Sequence, residues 1–274
     1  MNLHAMPTTE FSAIKSKQKV DWASGDYAKI GTTLQVVGEE LAEAVDLSPA
    51  TRVLDVAAGN GNATLAFARR WCDVTSTDFV ESLLARSEAR ATAEGLRVKY
   101  QVADAEALPF NDEEFDAVVS TFGVMFTPNQ PQAAAELIRT CRSGGKIGLS
   151  NWTPESFIGA LFRTIGTLMA PPLGVQSPTL WGTREWIEET FGAASKSSAF
   201  KQKSFVFRYR SPEHFMEVFR AFYGPVHNAF LALDAEQQAT LEAVILSLIA
   251  ERNTATDGSM RLPAEYAEIV MVKA

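Results

Sequence analysis

Three aspartates stand at the ends of predicted strands. Asp55 ends the run RVLD, Asp78 ends DVTSTD, and Asp104 follows RVKYQVA. Carboxyl ends of parallel strands meet along one edge of a sheet, so we expect the three carboxylates to surround one ligand. A carboxylate accepts hydrogen bonds from ribose hydroxyls or an exocyclic amine, and it balances an ammonium or sulfonium charge. A single aspartate of this kind is more often a solvated cap, but three in succession indicate a cationic, nucleoside-like ligand.

A turn of small residues joins the first of these strands to an alanine-rich helix. It contains Ala57, Gly59 and Gly61 in the stretch AAGNGNA. Glycine lets the backbone approach a ligand closely, and a helix N-terminus offers unpaired N–H groups. Thr64 stands where a dinucleotide-binding G-x-G-x-x-G motif has its third glycine, and Asp55 suits pyrophosphate poorly. The turn therefore favours a ligand of mixed charge.

Composition, charge and cysteine spacing exclude several classes of protein. The 274 residues are 46% apolar, enough for one large α/β domain, and the formal net charge of −8 opposes binding to a nucleic-acid backbone. Neither a signal peptide nor a run of about 18 apolar residues is found, which predicts a soluble, cytoplasmic protein without a membrane span. Cys72 and Cys141 lack the spacing of a disulfide framework or a zinc site, so no metal is expected. Cys141 continues the helical spacing of Ala134 and Leu137, which predicts a buried thiol on a helix.

Short apolar runs alternate with amphipathic stretches between residues 52 and 152. This alternation predicts parallel strands with helices crossing on both faces of a sheet. One of these helices opens at Pro131 and closes at Gly144 and Gly145. The alternation breaks after Trp152, where loops and short helices are predicted, and SFVFRYR at 204–210 reads as a later strand.

Taken together, these motifs resemble those of the class I S-adenosylmethionine-dependent methyltransferases. The likeness is to the small-molecule group that includes the ubiquinone and menaquinone biosynthesis methyltransferases. The stretches that carry it are VLDVAAGNG, DF at 78–79, ADAEALPF at 103–110, FDAVVSTFGVMF at 115–126 and SGGKIGLSNW at 143–152. The resemblance implies a doubly wound, Rossmann-like α/β fold with a seven-stranded, mostly parallel sheet, and S-adenosylmethionine as the cofactor.

Carried over to this chain, the resemblance implies a cofactor site along the strand ends. The glycines of the turn bracket the methionine part, and Asp78 holds the ribose. Asp104 and Ala105 read the adenine, Phe79 offers it an apolar face, and Thr121 lies beneath the sulfonium. The predicted cofactor-binding residues are Tyr27, Asp55, Ala57, Gly59, Gly61, Asp78, Phe79, Asp104, Ala105 and Thr121.

Two departures from the family pattern are visible. Ala57 and Ala58 replace a glycine and a small residue, and alanine at position 57 predicts a backbone that avoids positive φ. Ser143 replaces the proline that usually precedes the glycine pair. Neither change removes a polar contact, so the cofactor prediction stands.

The resemblance also divides the chain into four segments. Residues 1–45 are predicted to form an N-terminal helical lid, in which Tyr27 bonds the methionine carboxylate or simply packs on the core. Residues 46–152 form the cofactor-binding core, and residues 153–198 an inserted cap. Residues 199–274 complete the sheet and cover the acceptor site, with a helix capped by Asp234 and Gln237.

An apolar acceptor is expected because Met125 and Phe126 stand where many relatives have histidines. Of His4, His214 and His227, the last follows the break at Gly224-Pro225 and is the preferred general base, although a surface or core histidine is the plainer interpretation. The predicted acceptor-binding residues are Met125, Trp152, Trp181, Phe222 and His227.

The function predicted from these residues is methyl transfer to an oxygen, carbon or nitrogen of a hydrophobic small molecule. The cofactor carries the reactive group, so alignment alone can drive the reaction. Two alternatives stay open: a non-methylating reaction assisted by the sulfonium, and a non-catalytic protein that binds the cofactor for regulation. The acceptor and the oligomeric state are not predicted.

Overall fold

A seven-stranded sheet runs through the computed structural model, which describes residues 8–274. The strands are β1 (Arg52–Val56), β2 (Asp73–Asp78), β3 (Lys99–Val102), β4 (Phe115–Thr121), β5 (Cys141–Trp152), β6 (Ser195–Tyr209) and β7 (Met260–Lys273). Their order across the sheet is β3-β2-β1-β4-β5-β7-β6. Strand β7 is antiparallel to both neighbours, and the other pairs are parallel. The predicted doubly wound, mostly parallel α/β fold is confirmed.

Helices cover both faces of this sheet. They are α1 (Thr8–Ser24), α2 (Ala28–Gly31), α3 (Gln35–Val45), α4 (Asn62–Arg69), α5 (Glu81–Ala93), α6 (Gln130–Thr140), α7 (Phe157–Leu168), α8 (Arg184–Phe191), α9 (Pro212–Phe222), α10 (Gly224–Ala232) and α11 (Ala235–Arg252). Within residues 8–274, no helix is both long enough and apolar enough to cross a membrane.

The central strands bury both of their faces. Leu54 and Val118 point into a large apolar cluster with the later helices, while Val53 and Val119 point into a smaller cluster with α3 and α4. Successive side chains of a strand face opposite sides, so both sides of a parallel sheet need apolar residues. This burial fixes the carboxyl ends of β1 and β4 side by side.

Side-chain caps begin several of the helices that follow residue 152. Ser156 accepts a hydrogen bond from the Gly159 N–H at the start of α7, and Ser211 accepts one from the His214 N–H at the start of α9. The predicted cap at Asp234 is confirmed, because its side chain and that of Gln237 form a reciprocal capping box on α11. These caps fix where the chain leaves the sheet.

Helix α6 is shorter than its sequence pattern predicts. It ends at Thr140, and Cys141 begins β5, so the prediction that this cysteine lies on a helix is wrong. The thiol is nevertheless fully buried, as expected, and burial raises its pKa to about 11. Gly144 and Gly145 lie within β5, where a Cβ on Gly145 would come 2.7 Å from the Asp116 carbonyl oxygen. Close packing of β5 on β4 therefore requires glycine there.

Strand β6 is longer than predicted and begins inside the segment assigned to the cap. Its first half, Ser195–Lys203, is largely exposed because β6 lies at the edge of the sheet. An edge strand with polar side chains lacks the apolar alternation that marks a buried strand. Because β6 begins this early, it divides the helices after β5 into two insertions. Helices α7 and α8 precede β6, and helices α9 to α11 lie between β6 and β7.

Candidate functional site

The carboxyl ends of the central strands open into one cavity. It holds about 1130 Å³ of space that protein atoms do not fill, including its open mouth. The lining includes the turn at 57–60 after β1, Asp78 and Phe79 at the end of β2, the segment 121–123 after β4, and Trp152 at the end of β5. Parallel strands place these residues together, as expected for a doubly wound sheet.

In the turn after β1, every second residue has its backbone in the left-handed region. Ala57, Gly59 and Gly61 have φ values of 52°, 56° and 85°. A Cβ built on Gly59 would lie 3.6 Å from the Tyr27 ring, so this glycine leaves room in the cavity. A Cβ on Gly61 would lie 2.0 Å from Ser87 Oγ. Gly61 therefore packs against α5 and does not line the cavity, which corrects the expectation that both glycines bracket the ligand.

Ala57 adopts the backbone conformation that its sequence argued against. Its φ of 52° makes the prediction of an ordinary conformation wrong. The neighbouring strand end explains the conformation, since a Cβ on Gly123 would lie 2.0 Å from the Ala57 carbonyl oxygen. The two strand ends are packed so closely that the turn keeps its shape at a cost of about 1–2 kcal/mol.

We predict that Ala57→Gly stabilises the protein, because glycine adopts positive φ without strain. The free energy of unfolding should rise by roughly 1 kcal/mol. Ala58→Gly is the matched control: its φ is not positive, so the change should lower the free energy of unfolding by about 0.5–1 kcal/mol. Denaturant unfolding of both variants measures this, and equal effects of the two changes would contradict the strain at Ala57.

Asp78 brings a buried carboxylate to the cavity wall. Its Oδ2 accepts the Gly59 N–H at 2.9 Å, and its Oδ1 accepts the Val80 N–H at 2.8 Å. The residue is 5% exposed, and burial raises the pKa of its carboxyl to about 6 although the N–H groups oppose this. Each oxygen retains a lone pair for a ligand hydroxyl.

Asp55 lies beneath the turn and not in the cavity wall. Thr64 Oγ1 donates to its Oδ2 at 2.6 Å, and within the described chain its buried Oδ1 has no hydrogen-bond partner. Burial raises its pKa to about 7. The expectation that Asp55 lines the cofactor site is corrected: its side chain turns toward α4, where Thr64 holds it.

Asp104 meets a partner that sequence reasoning missed. Lys15 of α1 lies 2.6 Å from Asp104 Oδ2 and 3.0 Å from Glu106 Oε2, and all three residues line the cavity. Asp104 Oδ1 also accepts the Glu106 N–H at 2.9 Å. Lys15 lies in the polar stretch KSKQK, which looks like a solvated helix face, so the sequence carries no signal for this contact.

The N-terminal segment forms one side of the cavity. Trp22 packs edge-on against Tyr27, Phe126 and Tyr223, with ring centroids 5.1–5.9 Å apart. The Gln18 side-chain amide donates to the Phe126 carbonyl oxygen at 3.1 Å. These contacts hold α1 over the strand ends and place the Tyr27 ring beside Gly59. Residues 1–7 of the predicted lid, including His4, lie outside the described residues.

Aromatic rings form the opposite side of the cavity. Phe122 stacks on Trp152 with centroids 4.0 Å apart and planes 6° apart, and Phe207 of β6 lies 5.8 Å from Trp152. The backbone of Phe122 is in the left-handed region, with φ 58°. Its N–H donates a hydrogen bond to the Ser150 carbonyl oxygen of β5. Phe126, Ile158, Phe219 and Tyr223 complete this wall.

Several predicted acceptor residues lie elsewhere. Met125 is buried in the apolar core, and Trp181 is buried in the short helical turn before α8, with its ring centroid 4.3 Å from that of Trp186, and does not line the cavity. Phe222 turns outward under the Lys29 ammonium, 4.8 Å from its ring centroid. His227 Nδ1 lies 2.9 Å from the Arg220 carbonyl oxygen at the end of α9. Of the predicted acceptor set, Trp152 alone is among the described lining residues.

Comparison with known proteins identifies the family. A family model described as a methyltransferase domain matches residues 53–145. An uncharacterised protein of Mycobacterium tuberculosis H37Rv, Rv1403c, is 40% identical over 250 residues, covering 89% of this chain and 91% of that protein. The demethylmenaquinone methyltransferase of Thermus thermophilus is 32% identical over 154 residues, covering 55% of this chain and 70% of its own. The chain belongs to the class I S-adenosylmethionine-dependent methyltransferases.

Solved structures agree with this family at the level of the fold. The YcgJ protein of Bacillus subtilis aligns with a TM-score of 0.59 over 86% of the methyltransferase and 98% of its own chain, at 18% identity. The cofactor of the methyltransferase is S-adenosylmethionine. The cavity fits this group, because Asp78 presents buried carboxylate oxygens and Gly59 presents no side chain. The predicted cofactor residues in the lining are Tyr27, Ala57, Gly59, Asp78, Phe79, Asp104, Ala105 and Thr121.

We predict that cofactor affinity depends on the ionisation of Asp78. The expected ligands of this carboxylate are ribose hydroxyls, which donate to its ionised form, so protonation at its pKa of about 6 should weaken binding of S-adenosylhomocysteine. The dissociation constant should be flat above pH 7 and rise toward about tenfold per pH unit below pH 6. Calorimetry between pH 5 and 8 measures this.

Asp78→Asn is the control for this titration. It should weaken binding roughly 10- to 100-fold at pH 8, and the remaining affinity should no longer fall between pH 7 and pH 5. A pH dependence that survives in this variant would assign the titration to another group, such as Asp55. A flat profile in the unaltered methyltransferase would contradict the role of Asp78.

Proposed function

We propose that the methyltransferase transfers a methyl group to an oxygen, carbon or nitrogen of a hydrophobic small molecule. The observation that carries this proposal is that the cavity is charged at one end of the strand order and aromatic at the other. Charged lining residues Asp78, Asp104 and Lys15 gather at the β2 and β3 end, while Phe122, Trp152 and other rings gather at the β4, β5 and β6 end. A cavity wall made of aromatic side chains with few polar groups suits an apolar acceptor.

In this proposal the two ends of the cavity have different tasks. Asp78 and the Gly59 turn hold the cofactor, whose contribution when bound is a methyl group on a positively charged sulfur. Thr121 lies between the two ends, because it ends β4, the strand next to β1 on the aromatic side. The aromatic wall holds the acceptor and excludes water. Alignment of this kind lowers the barrier by as much as about 7–11 kcal/mol.

The four predicted segments of the chain contribute differently to the two ends of the cavity. Residues 1–45 and 46–152 provide the lid and the cofactor core, and the acceptor wall combines core residues with both later segments. Ile158 comes from the segment 153–198, and Phe207, Phe219 and Tyr223 come from residues 199–274. The Thermus relative is named for demethylmenaquinone, and that name supports a small-molecule acceptor for the family.

A panel of acceptors tests the proposal. We expect release of S-adenosylhomocysteine with uncharged, ring-containing hydrophobic compounds and not with polar or charged ones. Conversion of an acceptor without stoichiometric S-adenosylhomocysteine would instead indicate a non-methylating reaction. Cofactor binding without turnover of any acceptor would favour a regulatory protein.

We predict that Phe126→Ala weakens acceptor binding, because this half-buried ring lines the cavity. The KM of the best acceptor should rise roughly tenfold or more, the effect of losing a buried phenyl contact. Phe222→Ala is the matched control: its ring is equally half-buried but lies outside the cavity, so KM should change less than threefold. Both variants should bind S-adenosylhomocysteine as before. Equal effects on KM would contradict the aromatic wall.

We also predict that His227→Gln leaves kcat within about threefold of the unaltered enzyme. The imidazole is bonded to the end of α9 and does not line the cavity, whereas a lost general base costs about 10²-fold or more. The kcat of both forms, measured against pH on one acceptor, checks this. A large loss with an altered pH profile would restore His227 as a base.

A further inference from the structure

Two tyrosine rings stand side by side in the cavity wall. The ring centroids of Tyr27 and Tyr223 lie 6.4 Å apart, and both residues line the cavity. Tyr27 reaches the glycine turn, since its Cε1 lies 3.6 Å from a Cβ built on Gly59. Tyr223 therefore lies one ring further from the turn, on the side of the aromatic wall.

The Tyr223 ring is held from several elements at once. Trp22 of the lid packs edge-on at 5.9 Å, Phe219 of α9 lies at 5.0 Å, and Phe162 of α7 stacks at 6.5 Å with planes 13° apart. The residue is 5% exposed. Contacts on this many sides leave the phenol ring little freedom, so its hydroxyl has a defined position.

Among the hydrogen bonds of the described chain, none involves the Tyr223 hydroxyl. The hydroxyl is not one of the fully buried polar atoms that lack a partner, and the residue lines the cavity, so the hydroxyl is open to a ligand there. Burial raises the pKa of the phenol well above its ordinary value, and Tyr27 nearby raises it further. The group therefore stays protonated and serves as a hydrogen-bond donor or acceptor, not as a base.

We propose that Tyr223 determines acceptor specificity, with its hydroxyl bonded to the oxygen of a hydroxyl or carbonyl group on an uncharged, ring-shaped acceptor. The inference rests on the proposed function, because it places the acceptor against the aromatic wall. A neutral oxygen suits this end of the cavity, where the neighbours of Tyr223 are the rings of Trp22, Phe162 and Phe219. A carboxylate or phosphate would lose its hydration there without gaining a cation.

A pair of probes of equal shape tests the hydroxyl. We choose 2-naphthol and 2-methylnaphthalene, which differ by a hydroxyl in place of a methyl group. Their dissociation constants are measured by quenching of tryptophan emission, with the methyltransferase saturated with S-adenosylhomocysteine. We expect 2-naphthol to bind at least fivefold more tightly, the usual effect of one neutral hydrogen bond.

Tyr223→Phe should bind the two probes within about twofold of each other. Its melting temperature and its affinity for S-adenosylhomocysteine should be unchanged, which separates the lost hydroxyl from a damaged fold. Tyr209→Phe is the matched control, because the Tyr209 hydroxyl also has no described partner but is fully buried in a residue that does not line the cavity. This control should keep the full preference for 2-naphthol.

The other outcomes overturn the inference and differ in what else they overturn. A preference for 2-naphthol that persists in Tyr223→Phe, or equal binding of both probes to the unaltered protein, would remove Tyr223 as the specificity residue and leave the apolar acceptor site intact. Failure of both probes to bind would overturn the apolar acceptor site together with the inference.

Discussion

Two carboxylates buried at one edge of a parallel sheet constrain the rest of the site. Asp78 and Asp55 lie at the ends of neighbouring strands, and burial raises the pKa of both. The chain compensates in part: the Gly59 N–H points at Asp78, and Thr64 donates to Asp55. That N–H is available only because the turn runs through left-handed conformations at Ala57 and Gly59. Strain in the turn and burial of the acids are thus parts of one arrangement.

The remaining wall follows from the order of the strands. The sheet places β4 and β5 on the side of β1 away from β2, so their ends extend the cavity away from the acids. Phe122 and Trp152 stack there and form its floor. Tyr266 of β7 packs edge-on against Phe122 at 5.8 Å, and its hydroxyl donates to Glu40 of α3. The floor is therefore anchored through the sheet to a helix that was already fixed on the core.

The sequence predicted the fold and the strand-end residues because their signals are local. Asp78, Gly59 and Asp104 occur at fixed positions in strand-turn-helix units, and parallel pairing brings such positions together. The acceptor wall has no local signal: aromatic residues after Trp152 suit a core and a cavity equally, so the sequence assigns Trp181 to the acceptor site and does not single out Phe207 of β6. Lys15 lies on α1 and Tyr223 lies between α9 and α10, and their contacts depend on how segments far apart in the chain pack together. At Ala57 a local signal was present but misleading, because packing against Gly123 decided the backbone conformation against the preference of alanine.

The position of Lys15 makes part of the attachment of α1 dependent on salt. This side chain reaches from α1 to Asp104 and Glu106, so moving the helix away from the strand ends must break both ion pairs. Lys15 and Asp104 are partly exposed, and dissolved salt weakens such a pair, as the screening length falls from about 10 Å at 0.1 M to about 3 Å at 1 M ionic strength. Trp22, by contrast, holds the same helix through apolar contacts that salt does not loosen. The free energy needed to separate this helix from the strand ends therefore has one component that depends on ionic strength and another that does not.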